Sequence, residues 1–260
     1  FPTRRSSDLV GVIAGAHYPG AGLLTVRAAR WGGAGMVRQV GATFTEDLAT
    51  VVHHDSWSPD LKADAWVVGP GLGEDAASVA LRQLLATDKT LVIDADGLNA
   101  LAHSDQLRTA LSDRSGFAVL TPHGGEAARL AHGYGIELTG NLTDQPADLA
   151  RDLAAASNAV VYLKGSVGVV ATPEGVTYVT HRTTEHLSTA GSGDVLAGLL
   201  GSLLAANEPF ENEDLAHRVA AAIIVHSRAA ELIALEGGPV IASEIEENLP
   251  MAIADLTSAP

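Results

Sequence analysis

Short apolar runs alternate with longer amphipathic ones along most of this chain. Six runs rich in β-branched residues read as strands: "LVGVIAG" (9–15), "GMVRQV" (35–40), "AWVVGP" (65–70), "TLVIDA" (90–95), "FAVLTP" (117–122) and "AVVYLKG" (159–165). Several are continuously apolar rather than alternating, the pattern of strands covered on both faces of a parallel sheet. The stretches near 20–32, 75–87, 124–132 and 146–156 read as helices. Strand and helix in turn predict an α/β sandwich. "VGVVATPEGVTYVT" (167–180) breaks the rhythm and reads as a hairpin turning at "TPEG". Beyond residue 193 the chain reads as mostly helical, with an Ala-rich stretch over 214–235. No linker or internal repeat interrupts 9–256, so one domain over residues 9–260 is expected.

Composition narrows the possible functions. With 260 residues, 47% of them hydrophobic, the chain can bury a sizeable core. A formal charge of −15 offers no basic surface for nucleic acid. No run of about 18 apolar residues exists to span a membrane. Cysteine is absent, which removes disulfides, thiolate catalysis and Cys-ligated metals. That fits a reducing compartment, and with no secretory signal visible a cytoplasmic location is expected. "FPTRRSSDL" has neither an initiator Met nor an apolar period and resembles translated adapter sequence. Residues 1–8 are therefore read as a non-native or disordered leader, and the native start, with any upstream domain, is expected to lie outside this sequence.

Candidate chemistry centres on "LSTAGSGDVLAGLL" (187–200). A helix start leaves backbone N–H groups unpaired and partly positive. Glycines let the backbone approach an anion closely. Gly191, Ser192 and Gly193 can therefore form an anion hole for a phosphoryl group. Asp194 would sit at its mouth, placed to accept a proton from an attacking hydroxyl. The alternative is that Asp194 merely caps the helix, and the segment alone leaves both open. There is no GxxxxGK(S/T) phosphate loop, and "GPGLGED" lacks the third small residue of a dinucleotide fingerprint.

Six segments occur in order: "AGAHYPGAGLLTVRAARWGGAGMV" (14–37), "VVGPGLG" (67–73), "LVIDADGLNAL" (91–101), "LTPHGGEAARL" (120–130), "VVYLKGSVGVVATPEG" (160–175) and "LSTAGSGDVLAGLLGSLLA" (187–205). Together they closely resemble the ADP/ATP-dependent NAD(P)H-hydrate dehydratase family of the ribokinase-like superfamily, over about residues 9–256. The resemblance implies a ribokinase-like three-layer sandwich with a mostly parallel central sheet flanked by helices. It implies a metabolite-repair reaction on hydrated NADH or NADPH. A nucleoside phosphate, ADP in most bacterial members and ATP in eukaryotic ones, phosphorylates the misplaced ring hydroxyl, and phosphate then leaves. It also implies Mg²⁺ with the nucleotide, a homo-oligomer (a tetramer in many relatives) and an NAD(P)H-hydrate epimerase, fused or separate.

Residues carry over where motifs match. Asp194 matches the aspartate beside the substrate hydroxyl and is assigned as general base. Gly193 matches a nucleotide contact, completed by Gly191 and Ser192. The run Lys164, Gly165, Ser166, Val167 and Gly168 matches the nucleotide-binding segment after a strand. Ala21, Gly71, Gly73 and His123 match substrate-side positions, with the choice between Gly71 and Gly73 left open. Gly124 departs from the family pattern, which has Pro there.

No metal-ligand set is assigned. His123 and Glu126 have metal-like spacing but lack a third ligand, so substrate contact and capping are favoured over zinc. Asp94 and Asp96 in "DADGLN" either assist Mg²⁺ through water or serve turn and capping roles, and the sequence leaves both open. His226 in "IIVHSRAA" reads as a buried structural histidine. His53 and His54, being adjacent, point to opposite sides of any strand and form no metal pair. Two competing functions are a kinase of the same superfamily acting on a thiamine-precursor alcohol, and a non-catalytic nucleotide-binding module. "YPGAG", "GPGLG" and "TPHGGE" together favour the dehydratase over the former, and Asp194 with its glycines argues against the latter.

Overall fold

A computed structural model describes residues 8–41, 50–138, 145–180, 184–206, 209 and 211–258. The first half runs β1 (Leu9–Ala14), α1 (Pro19–Trp31), β2 (Met36–Gly41), β3 (Val51–His54), β4 (Ala65–Val68), α2 (Glu74–Leu84) and β5 (Thr90–Ile93). Then come α3 (Asp96–His103), α4 (Asp105–Ser112), β6 (Ala118–Leu120), α5 (Gly124–Tyr134), α6 (Pro146–Ser157) and β7 (Val160–Leu163). The remainder is β8 (Val169–Ala171), β9 (Thr177–Val179), a 3-10 turn (Glu185–Leu187), α7 (Ser192–Ala206), α8 (Asn212–Leu235) and α9 (Ala242–Ser258).

The strands form one nine-stranded sheet in the order β3-β2-β1-β4-β5-β6-β7-β8-β9. Every pairing from β3 through to β7 is parallel; β8 is antiparallel to both β7 and β9. The six strands and the hairpin expected from the apolar pattern are present. β4 stops at Val68, short of the expected residue 70, because Gly69 turns away at φ +125°. β3 was not anticipated: it lies at the sheet edge and is half-exposed, so its "VVHH" carries no buried pattern.

Strand side chains alternate between two cores, giving three layers. Val10, Val12, Val67, Val92 and Val160 pack with α1, α7, α8 and α9 on one face. Ile13, Trp66, Val68, Leu91, Ile93 and Val161 pack with the residues of α2 to α6 on the other. The sandwich expected from the sequence is therefore borne out, with all seven parallel strands ending on one side. Residues 1–7 of the expected leader lie outside the described residues. Asp8 is buried, and its carbonyl accepts the Gly35 and Met36 N–H groups at 3.0 and 3.3 Å.

Candidate active site

The strand order reverses beside β1. The chain moves outward from β1 to β2 and β3, and β4 then returns to β1's other flank. At such a switch point the C-terminal strand ends open a crevice suited to a ligand. Two Gly-rich segments meet there. Gly15 donates its N–H to the Pro70 carbonyl at 2.8 Å, and His17 and Tyr18 both donate to the Gly71 carbonyl, at 2.9 and 2.8 Å. Gly71 lies at φ +57°, and a Cβ there would stand 2.5 Å from the Tyr18 carbonyl oxygen and 2.8 Å from the Ala21 Cβ. Both the backbone angle and the contact demand glycine. Ala21 and Gly71 are thus neighbours. The Gly73 N–H donates to Asp96 Oδ2 at 2.8 Å, so Asp96 holds this loop.

A second group assembles at the end of β7. Lys164 donates its backbone N–H to the Pro122 carbonyl at 2.8 Å and bridges to His123. Its Nζ donates to Asp94 Oδ1 at 2.8 Å, with the lysine side chain 21% exposed and the aspartate 3%. A Cβ on Gly193 would stand 3.4 Å from that Nζ and 3.8 Å from Asp94 Oδ2. Lys164, Asp94 and the start of α7 therefore converge from three separate segments. The cap of α7 falls on Gly191, at φ +88°, whose carbonyl accepts the Val195 N–H at 3.1 Å. Asp194 is the third helical residue and not the cap, which removes the simplest alternative for it.

The electrostatics follow from this packing. Burial raises the Asp194 carboxyl to about 7; the Asp94 charge adds to the effect and Lys164 opposes it. An aspartate that is half ionised near neutrality suits a general base. Burial pushes Lys164 down, but the charges of Asp94, Glu126 and Asp194 outweigh it and hold the ammonium above its usual range. Glu126 is raised by burial, with Lys164 opposing. His123 is lowered by burial and by the Lys164 charge.

His123 caps α5. Its Nδ1 accepts the Gly125 and Glu126 N–H groups at 3.0 and 3.4 Å, while its own N–H donates to Glu126 Oε2 at 2.8 Å. This reciprocal box is the capping role expected for the pair. An Nδ1 that accepts must carry a lone pair, so the ring is neutral with its proton on Nε2. That nitrogen lies 3.5 Å from Glu126 Oε1, on a half-exposed side chain.

A cleft of about 460 Å³ is lined by His123, Lys164, Gly165, Ser166, Ser192 and Gly193, together with Tyr162, Leu196 and His226. Val167 and Gly168 fall outside that lining. Val167 is exposed, and Gly168 donates its N–H to Thr180 Oγ1 at 2.9 Å, at the base of the hairpin. Ala21, Gly71 and Gly73 form a separate rim; α1 links it to the cleft, since Leu24 Cδ1 would stand 2.6 Å from a Cβ on Gly191. No group of three His, Cys, Asp or Glu among the described residues can hold a metal ion. His54 of the adjacent pair sits 3.2 Å from the Arg38 guanidinium. Sequence reasoning left two relationships unseen, Asp94 with Lys164 and Asp96 with Gly73, because their partners lie 70 and 23 residues away.

The sequence model of the NAD(P)H-hydrate dehydratase family matches residues 10–251. The chain belongs to this family. The bifunctional NAD(P)H-hydrate repair enzyme Nnr of Mycobacterium leprae is 40% identical over 260 residues, covering 96% of this chain and 52% of that protein. The ADP-dependent (S)-NAD(P)H-hydrate dehydratase of Neisseria meningitidis is 40% identical over 194 residues, 71% of this chain and 64% of that protein. The crystal structure of the Bacillus subtilis ADP/ATP-dependent NAD(P)H-hydrate dehydratase, co-crystallised with ATP and Mg²⁺, superposes with a TM-score of 0.82 at 25% identity, over 98% of this chain and 94% of that one. The chain thus spans about half the length of its bifunctional relative. No helix among the described residues is long and apolar enough to cross a membrane.

Proposed function

We propose that this chain dehydrates hydrated NADH or NADPH at the expense of ADP or ATP. One observation carries the reading: the Asp194 carboxyl, held at about 7, stands in the first turn of α7 beside Gly193, whose approach is flanked by Lys164. Asp194 takes the proton of the ring hydroxyl as its oxygen attacks phosphorus. The Gly191 and Gly193 N–H groups and the Lys164 ammonium receive the transferring phosphoryl group, while the Ser192 N–H is held by the Thr189 carbonyl at 3.3 Å. The bond to the nucleotide's bridging oxygen breaks, leaving AMP from ADP, or ADP from ATP. The carbon–oxygen bond then breaks with push from the ring nitrogen, phosphate departs, and the adjacent ring carbon gives up a proton to restore the double bond.

The other residues are assigned by position. Gly165 and Ser166 border the nucleotide in the cleft, and the neutral His123 donates from Nε2 to the substrate. Ala21, Gly71 and Gly73 line the approach of the hydrated cofactor. Mg²⁺ would travel with the nucleotide and spread the phosphate charge, and the Asp94 and Asp194 carboxylates are the groups placed to meet its water shell. The relatives' names support this substrate, and one of them is bifunctional at about twice the length. We read this chain as the dehydration activity of such a repair pair.

The test is direct. Purified protein is incubated with hydrated NADH, Mg²⁺ and either ADP or ATP, and the near-ultraviolet absorption of NADH is followed. Its return with one or both nucleotides is expected. Turnover of a thiazole or pyrimidine alcohol with no return of that band would replace the reading with a small-molecule kinase.

A further inference from the structure

α8 brings one ionisable side chain into the core beneath the cleft. His226 is 4% exposed among the buried Ala222, Val225, Ala229 and Ala230 of its own helix. It lines the cleft together with Ser192, Gly193 and Leu196. Its Nε2 has no hydrogen-bond partner among the described residues. The ring shares the cleft wall with Ser192, and its interaction with the Ser192 backbone opposes the effect of burial. Burial, reinforced by the Lys164 charge, lowers the ring to about 4, so it stays neutral at working pH. Leucine or phenylalanine would fill this volume without a stranded nitrogen, so packing alone does not account for the histidine.

In the loop above it the Ser192 N–H donates to the Thr189 carbonyl at 3.3 Å. Gly191 supplies the left-handed turn, and Ser192 Oγ donates to the Leu187 carbonyl at 2.7 Å. We infer that His226 is a positioning residue for the phosphoryl-binding loop: its interaction with the Ser192 backbone fixes the Ser192–Gly193 peptide so that the Gly193 N–H faces the transferring group. The inference rests on the reading that this loop receives phosphate. It deepens that reading by naming a residue, from a different helix, that touches neither reacting atom.

Calorimetric titration of ADP and ATP with Mg²⁺, alongside thermal unfolding, tests it in wild type, His226→Phe, His226→Leu and His226→Asn. The apolar variants are expected to stay folded but to bind nucleotide about tenfold or more weakly, because a small misplacement of a positioned donor is costly. His226→Asn keeps an amide able to reach the backbone and is expected to bind more tightly than either apolar variant. Wild-type affinity in Phe and Leu, or affinity that follows side-chain volume with Phe best and Asn worst, overturns the inference. If neither apolar variant folds, Asn is compared with Gln: recovery of affinity by one amide supports the inference, and equal weakening by both overturns it. A wild-type protein that binds neither nucleotide sinks the functional reading and this inference with it. Wild-type binding with unchanged variants sinks this inference alone.

Discussion

Lys164 Nζ donates to Asp94 Oδ1 at 2.8 Å, joining the ends of β5 and β7 across β6. The pair is largely buried, so each charge depends on the other for its solvation. The same aspartate is the second cause, after burial, of the raised Asp194 carboxyl. Asp94→Asn is therefore expected to act twice. It leaves Lys164 short of its partner, at a cost of about 3 kcal/mol in unfolding free energy. It also removes a negative charge facing Asp194, so the acid limb of the rate profile shifts to lower pH. Urea unfolding and the pH dependence of kcat check the two effects, and an unshifted or upward-shifted limb would contradict the electrostatic account.

Activity should fall as pH drops through about 7, where Asp194 gains its proton, rather than near 4 as for an ordinary aspartate. Stability should move the other way. Between about pH 4 and 7 folded Asp194 holds a proton that the unfolded chain has released, so its contribution to stability declines as pH rises through that window and is level above it; Glu126 is shifted the same way and His226 the opposite way. Asp194→Asn is expected to abolish turnover and to remove Asp194's share of the pH dependence, making the variant more stable than wild type at pH 8 by about 2–4 kcal/mol. Unfolding measured at pH 5 and pH 8 distinguishes this from a variant that is merely destabilised.

Two glycines predict opposite phenotypes. A Cβ on Gly71 strikes the Tyr18 carbonyl at 2.5 Å from a left-handed backbone, so Gly71→Ala should cost about 1–3 kcal/mol of stability. A Cβ on Gly193 first meets Lys164 Nζ at 3.4 Å, an ordinary contact that leaves the Lys164–Asp94 pair in place. Gly193→Val should therefore fold nearly normally yet bind ADP and ATP at least about tenfold more weakly, through crowding of the phosphate approach. Melting temperature set beside nucleotide affinity separates the two; weak folding of Gly193→Val with intact affinity would reverse the assignment.

Gly124→Pro should stabilise the protein. Gly124 is the first residue of α5, where proline's missing N–H is no loss, and nothing lies within 4 Å of a Cβ there. His123 before it is at φ −80°, ψ 170°, the extended conformation that a following proline prefers. A gain of about 0.5–1 kcal/mol is expected from the reduced freedom of the unfolded chain. A lower melting temperature would show that the loop needs the glycine's flexibility.

The strands were legible because both of their faces are buried, so continuous Val and Ile runs mark them. The segments that escaped notice lack that mark. β3 is an edge strand whose His53 is exposed and His54 half-buried. α3 and α4 are eight residues each, too short for a clear helical period, and a Ser104 cap at the junction is the local signal that separates them. The site was legible as far as its backbone motifs reached: Gly71 with Ala21, and Gly193 with Lys164. Its polar wiring was not, because a carboxylate's partner is chosen by strand order. Asp94 read equally well as a turn residue or an aid to Mg²⁺ until the fold set Lys164 against it, and His226 read as a core residue until it was found under Ser192.

From β1 to β7 no strand is joined to a neighbour by a tight turn, since every pairing there is parallel. Local hairpins therefore cannot seed this part of the molecule, and its pairings wait on chain closures of many residues. The candidate site inherits that delay, because Asp94, Lys164 and Gly193 are adjacent only when β5, β6 and β7 are already aligned. Refolding followed by helix content and by nucleotide binding is expected to show helix returning first and binding last.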